Sequence, residues 1–541
     1  MNKQIRGLHE AAYLLAFFTF LSQILALVRD RAFAHFFGAG EILDAYFAAF
    51  RIPDLVFAFL ALFISSFALV PLIAERGGSK TDDSRELIGS VLLIFSGVSI
   101  TLGFVLYIAA PFIAPLLFPG FEEHITDDIV VLSRIMLLQP FFLGISSVVA
   151  SVVQSAQRFF LYALAPIFYN LGIILGVLFL YPSMGITGLA WGVVLGAVLH
   201  LVVQVVPVLL HDRSLFPKVP KRLFQNAFQV ALLSLPRALA LSTHQLLLLA
   251  FVAIASLAAV GSVSVMTFAF NLQSVPLSVI GLSYAAALFP SLSLLFAKGD
   301  YDTFVREVWT AVRHTVMWIT PAIVLMVVLR AHIVRVILGS GEFTWADTRL
   351  TAAVLACFLF SLVAQAVIVI FSRAYYAAGR SLEPIVINVI AAVGASLLAW
   401  QSVRWFEDAV FARYFLEDLF RITDIPGTEV IMIALSYSAV MLVAALILAI
   451  LYSRRFWFEM RTLHSVLFSF SAAIIGGSAT YGSLQVFGPL LPTDTFLGIF
   501  AQGAVSGIVG LVAWALTLVL LRSKDFNEVV SVVYRLLVKP N

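Results

Sequence analysis

The chain has 541 residues, of which 62% are hydrophobic and 12% charged, with a formal net charge of +3 and one cysteine. Ordinary soluble domains are about 45–50% apolar and about 25% charged, so a water-soluble core is excluded and the bilayer must be the solvent. A lone Cys357 excludes internal disulfides and cysteine metal clusters, and the small positive charge fits basic cytoplasmic loops rather than a nucleic-acid partner.

Lys3 and Arg6 precede an apolar run in the manner of a signal peptide, but no small-residue cleavage site follows and Arg29, Asp30 and Arg31 close the run. A retained first span is expected. Crossing the hydrocarbon takes about 20 apolar residues, and fourteen such spans are expected from the sequence: 11–37, 43–74, 87–110, 129–156, 161–181, 186–210, 227–260, 263–297, 310–338, 351–378, 384–403, 430–452, 463–487 and 496–521. The expected class is therefore an all-α polytopic membrane protein with no cofactor and no metal site.

Lysine and arginine near span ends stay cytoplasmic. Loops on the side of the N-terminus carry 21 of them, whereas the opposite loops, leaving aside the first hairpin, carry only Arg349, Arg404, Arg413 and Arg421; the loop with Glu122, Glu123, Asp127 and Asp128 is acidic. Both termini are expected to be cytoplasmic.

Ala68-Leu-Val-Pro71-Leu recurs as Ala287-Leu-Phe-Pro290-Ser, and Pro166-Ile-Phe-Tyr-Asn170 as Pro384-Ile-Val-Ile-Asn388, at nearly equal offsets. An even number of spans per copy would make the copies parallel. The predicted organisation is two six-helix lobes around a central cavity, 1–222 and 223–460, followed by two extra C-terminal spans and an amphipathic tail in 461–541. The segment 404–429 mixes charges and aromatics and is predicted to be an extracytoplasmic interfacial helix and loop, and 525–538 a short amphipathic helix on the cytoplasmic surface.

Ionisable groups at membrane depth cost several kcal/mol unless paired or wet, so they mark a pathway or site. The first hairpin is the richest: Arg29, Asp30, Asp44, Arg51 and Asp54, with Pro53 bending the second span. Part of this cluster could equally be an ordinary loop, a reading that suits Arg31 and Glu41 and suits Arg51 and Asp54 poorly. In span 7, Arg237 and His244 are two helical turns apart on one face, with Gln245 beside them; a snorkelling arginine is the competing reading for Arg237. Asn271, Gln273 and Ser274 before Pro276 form a polar break in span 8.

Arg29-Asp30, Phe37-Gly-Ala-Gly40, Asp44-Ala-Tyr-Phe-Ala-Ala-Phe-Arg51-Ile-Pro53 and Phe67-Ala-Leu-Val-Pro71 resemble the first hairpin of the MurJ (MviN) lipid II flippases of the MOP superfamily. Leu235-Pro-Arg237-Ala-Leu, Leu272-Gln-Ser-Val-Pro276, Leu288-Phe-Pro290-Ser-Leu-Ser293 and Val334-Arg-Val-Ile-Leu-Gly339 resemble that family's second lobe. The resemblance implies fourteen helices in two lobes around a cationic cavity, a lipid-tail groove made by the last two, and an undecaprenyl-linked peptidoglycan precursor as cargo in the bacterial inner membrane. It implies membrane lipids and cell-wall synthesis proteins as partners. Carried over by position, Arg29, Asp30 and Asp44 belong to the gate and site, with Arg51 close by; His244, Gln245 and Asn271 complete the expected substrate-binding set with Arg237.

The chain departs from that family where Gln23, Phe57 and Asn271 stand at positions that are arginine in many members, leaving Arg29 and Arg237 as the expected diphosphate contacts. Some members bind sodium through a span 7 carboxylate, and 227–260 contains none, so sodium coupling at that position is not expected. The alternatives are a MOP-type exporter of another polyprenyl-linked oligosaccharide or of small amphiphiles, a membrane-embedded glycosyltransferase using Asp30 and Asp44, and a noncatalytic scaffold. Substrate rescue, a longer extracytoplasmic loop and substrate protection of cavity residues, respectively, would discriminate them.

Overall fold

The computed structural model describes residues 8–156, 158–211, 217–490, 492 and 495–538. Lys3, Arg6, Arg213 and Lys539, counted in the charge asymmetry, lie outside the described residues. Among the described residues there is no strand, and twelve helices are long and apolar enough to cross a membrane, or thirteen if one pair bent by 42° counts as a single span. The expected fourteen is not reached by that measure; the 30-residue helix at the position of the first expected span stands outside the tally.

Two compact units divide the chain, 1–264 and 265–541. The first contains α1 (Leu8–Phe37), α2 (Glu41–Ala49), α3 (Arg51–Ile64), α4 (Ser66–Glu75), α5 (Asp82–Leu117), α6 (Glu123–Met136), α7 (Leu138–Ser155), α8 (Phe159–Leu175), the one-turn α9 (Tyr181–Met184), α10 (Ile186–His211) and α11 (Leu223–Ala255). The boundary falls inside α12 (Ser262–Pro276). The second contains α13 (Ser283–Lys298), α14 (Tyr301–Val328), α15 (Arg330–Ile337), α16 (Trp345–Leu359), α17 (Leu362–Ala377), α18 (Leu382–Asp408), α19 (Val410–Phe420), α20 (Val430–Arg455), α21 (Arg461–Phe487), α22 (Phe496–Leu520) and α23 (Lys524–Val538).

The packing partners within one unit recur in the other. In the first, α10 lies against α6, α7 and α8, α5 against α6 and α7, and α4 against α7; in the second, α20 lies against α16, α17 and α18, α14 against α16 and α17, and α13 against α17. This is the pairing expected of a duplicated helical unit. The α21–α22 hairpin packs on α14. Arg313 of α14, almost fully buried, donates from Nε to Asp525 Oδ1 at 3.1 Å and pairs with Glu459, while Arg461 Nη2 reaches Asp525 Oδ1 and Glu528 Oε1, each at 3.1 Å. The start of α23 is thereby tied to α14 and α21.

Lipid tails are as apolar as leucine, so helix association in a bilayer relies on close backbone approach and interhelical polar contacts. The α8–α10 pair uses the first of these. Gly172 and Gly176, one turn apart, meet Gly196 and Gly192, and a Cβ added at Gly192 would fall inside the Gly176 backbone. Replacing Gly192 by leucine should force the two helices apart at a cost of about 1–3 kcal/mol or more. The expected outcome is a fall of several degrees in the melting temperature of the detergent-solubilised protein, whereas Gly97→Leu on α5, where nothing lies within 4 Å, should leave it unchanged. Polar contacts bind α7 to α10: Gln204 Nε2 donates to Ser146 Oγ at 2.9 Å, and that hydroxyl lies 2.8 Å from His200 Nδ1.

Helix α11 packs on α3 and α5, so the first unit extends past residue 222, the predicted lobe boundary. The first reason is electrostatic. Glu86 Oε1 accepts the backbone N–H groups of Lys221 (2.7 Å) and Arg222 (2.9 Å), capping the positive end of α11 from outside the helix. Arg76 Nη2 donates to Asn226 Oδ1 (3.2 Å) and Gln229 Oε1 (2.9 Å), and Asn226 Nδ2 to Ser90 Oγ (3.0 Å).

Candidate substrate site

The polar centre of the first unit is built from α1, α2, α3, α7, α8 and α11. Near the end of α1, the Arg29 guanidinium donates from Nε and Nη2 to Asp30 Oδ1 at 3.0 and 2.7 Å and from Nη1 to Asn170 Oδ1 at 3.0 Å. The Asn170 amide is itself oriented, because its Nδ2 donates to the Pro166 carbonyl at 3.1 Å. The side chain of Arg29 is 20% exposed and that of Asp30 4%. A guanidinium carries five N–H donors, so two remain for another acceptor.

Tyr46 and Tyr169 lie within electrostatic reach of Arg29, and Asp54 within reach of both tyrosines. Arg51 donates from Nε to the Phe47 carbonyl at 3.1 Å, with Nη1 3.9 Å from Asp54 Oδ2. Gln139 lies beside Asp54. Arg51 is also close enough to His244 for their charges to interact. The cluster thus contains two cations, Arg29 and Arg51, matched by two carboxylates, Asp30 and Asp54.

Four of the expected residues are brought together and four are not. Arg29 with Asp30, and Arg51 with His244, are brought together. Asp44 is elsewhere in the same unit: its buried carboxylate accepts from Gly261 N at 2.7 Å, Ser264 N at 2.8 Å and Ser264 Oγ at 2.6 Å, at the start of α12. Arg237 is exposed on α11 and makes no hydrogen bond or ion pair with a described residue. It lies seven residues before His244, on the same face and about 10 Å along the axis. Gln245 has a buried Oε1 with no hydrogen-bond partner among the described residues. Asn271 belongs to the second unit, where its carbonyl accepts from Ser274 Oγ at 2.7 Å.

Tyr46, Gln139, Tyr169 and Asn170 were not anticipated as site residues. Asn170 and Tyr169 lie in the repeated Pro-Ile-Phe-Tyr-Asn motif, which read as a mark of duplication and carried the further signal of a polar side chain at membrane depth.

Residues 33–501 match the family model described as "Lipid II flippase MurJ". The chain belongs to the MurJ lipid II flippase family. Among MurJ relatives, it is 26% identical over 382 residues to the "Lipid II flippase MurJ" of Burkholderia cenocepacia, covering 69% of this chain and 74% of that one. It is 27% identical over 432 residues to the "Probable lipid II flippase MurJ" of Bdellovibrio bacteriovorus, covering 75% and 80%. The fold is similar to a solved "Lipid II flippase MurJ, inward closed conformation", with a TM-score of 0.74 at 21% identity over 97% of this chain and 100% of that one. An inward-facing MATE multidrug transporter of the MOP superfamily is similar with a TM-score of 0.65 at 16% identity, over 82% and 95%. That second likeness is one of fold. The MurJ match agrees with the multi-span helical architecture.

Proposed function

We propose that the chain translocates lipid II, the undecaprenyl-linked peptidoglycan precursor, across the bacterial inner membrane by alternating access, with both termini cytoplasmic. The family match over residues 33–501 carries the reading of cargo. The charge balance of the site supplies the chemistry. A diphosphate drawn into a partly desolvated cavity needs cations in excess of the carboxylates already present. Arg29 and Arg51 are neutralised by Asp30 and Asp54, whereas Arg237 has no carboxylate partner among the described residues. We assign Arg29 and Arg237 as diphosphate contacts, with Asp30 and Asn170 holding Arg29 in place when the site is empty.

Expression in a bacterium depleted of its own flippase tests the cargo. Extracytoplasmic accessibility of lipid II should return, and a membrane-inserted protein that restores neither growth nor accessibility would remove the assignment. In the same cells, a cysteine introduced at Glu123 should react with a membrane-impermeant maleimide and one at Lys218 should not; the reverse pattern would overturn the orientation.

A further inference from the structure

The helix α19 and the loop after it have no place in the translocation chemistry above, yet they are firmly held. Glu417 is almost fully buried, and its Oε1 accepts from Thr428 Oγ1 at 2.6 Å and from Arg413 Nε at 2.9 Å. Arg349 of α16 donates to both oxygens of Asp424, at 2.6 and 2.9 Å, and to the Arg421 carbonyl. The buried side of α19 is therefore fastened to the loop that follows it, and that loop to α16.

The other side is bare. Phe411 is 85% exposed, and Val410, Tyr414, Phe415 and Leu419 are each more than half exposed. At helical spacing these residues form one face, covering the first two turns without a charge; Asp418 enters it only near the C-terminal end. Helix α18, the candidate span against which α19 packs, also carries an exposed apolar surface. That surface runs through Val393 and Leu397 to Trp400 and Trp405, all exposed, with the Arg404 guanidinium 4.0 Å above the Trp400 ring. Exposed tryptophans at the end of a span mark the level of the headgroups. At 27 residues, α18 is about 40 Å long, more than the roughly 30 Å hydrocarbon layer. Its last turns, and α19 with them, therefore sit at the membrane surface.

We infer that α19 is a membrane-interface anchor, lying with the Phe411–Phe415 face in the headgroup and acyl boundary of the leaflet where α18 emerges. Residues 404–429 contain three basic and six acidic side chains, so attraction to anionic lipid cannot hold the helix down. Apolar insertion must do so, to a depth of about 5–10 Å. The N-terminal turn enters furthest, and Asp418 stays in water.

The test uses the full chain, with an NBD fluorophore placed singly on Phe411→Cys, Phe415→Cys or the exposed Thr423→Cys; Cys357 is buried, and the unmodified protein should take up no label. Each is reconstituted into phosphatidylcholine vesicles with and without acyl-brominated phosphatidylcholine. Labels at 411 and 415 should emit to the blue of the label at 423 and lose about half or more of their intensity to the brominated lipid, without any anionic lipid present. Label 423 should be indifferent. Water-like emission at 411 and 415 overturns the anchor, and blue-shifted emission that brominated lipid leaves untouched assigns the face to a protein surface instead. A nitroxide at 415 gives an independent reading: more frequent collision with oxygen than with a water-soluble nickel chelate is expected, and the opposite ranking rejects the inference.

Discussion

Arg29→Ala is expected to weaken lipid II binding by about tenfold or more, because a charge-assisted hydrogen bond contributes about 1.5–3 kcal/mol and the substitution removes both of the N–H groups left over by Asp30 and Asn170. The same change leaves Asp30 without its cation. A carboxylate stranded in the site repels the incoming diphosphate, so the loss should exceed that of Asn170→Leu, which frees Arg29 without removing it. Arg29→Lys should recover only part of the affinity, since an ammonium lacks the planar fork that spans two acceptors. Arg237→Ala should weaken binding to a similar degree through a different route, by deleting a cation with no carboxylate partner. Binding to reconstituted protein and lipid II accessibility in cells both report the effect, with membrane abundance measured beside them. If Arg29→Ala and Arg237→Ala both reach the membrane and flip at normal rates, the diphosphate is held elsewhere.

The part of this arrangement written in neighbouring residues was legible from the sequence. Arg29 and Asp30 are adjacent, so a buried ion pair between them follows once the hydropathy pattern places them at a span end. The apolar runs, the tail helix at 525–538 and a helix within 404–429 were legible for the same reason, since amphipathic period and charge are local properties. Asn170 was not, because it is 141 residues from Arg29 and nothing local says which polar group a buried guanidinium will find. The glycine contacts of α8 and α10 were present as Gly172-x-x-x-Gly176 and Gly188-x-x-x-Gly192-x-x-x-Gly196; the spacing marks a close helix pair, and reading for hydropathy alone passes over it. The predicted cut at residue 222 follows loop charge and span parity, whereas the packing of α11 is decided by Glu86, Arg76 and Ser90, whose partners lie about 140 residues on.

Asp44 was expected in the substrate site, and its partners at the start of α12 were not expected. A buried, ionisable residue in the first hairpin reads as part of a substrate site, but its oxygens are taken by three donors at the start of α12. Asp44→Ala should lower the stability of the solubilised protein by about 2–5 kcal/mol, because it leaves the Gly261 and Ser264 amides buried without an acceptor and removes a negative charge from a helix N-terminus. Asp44→Asn separates shape from charge. One amide oxygen can still accept from Ser264, but the amide nitrogen then meets the Gly261 N–H, donor against donor, so this variant should fall between wild type and Asp44→Ala. Gly261 offers a second handle on the same contact: its φ is +91°, and a Cβ there would run into the Ala39 carbonyl. Gly261→Ala should therefore reproduce much of the loss without touching any charge. Melting temperature and amide exchange at residues 256–264 measure the series. An Asp44→Asn protein as stable and as protected as wild type would show that the carboxylate does not hold this turn.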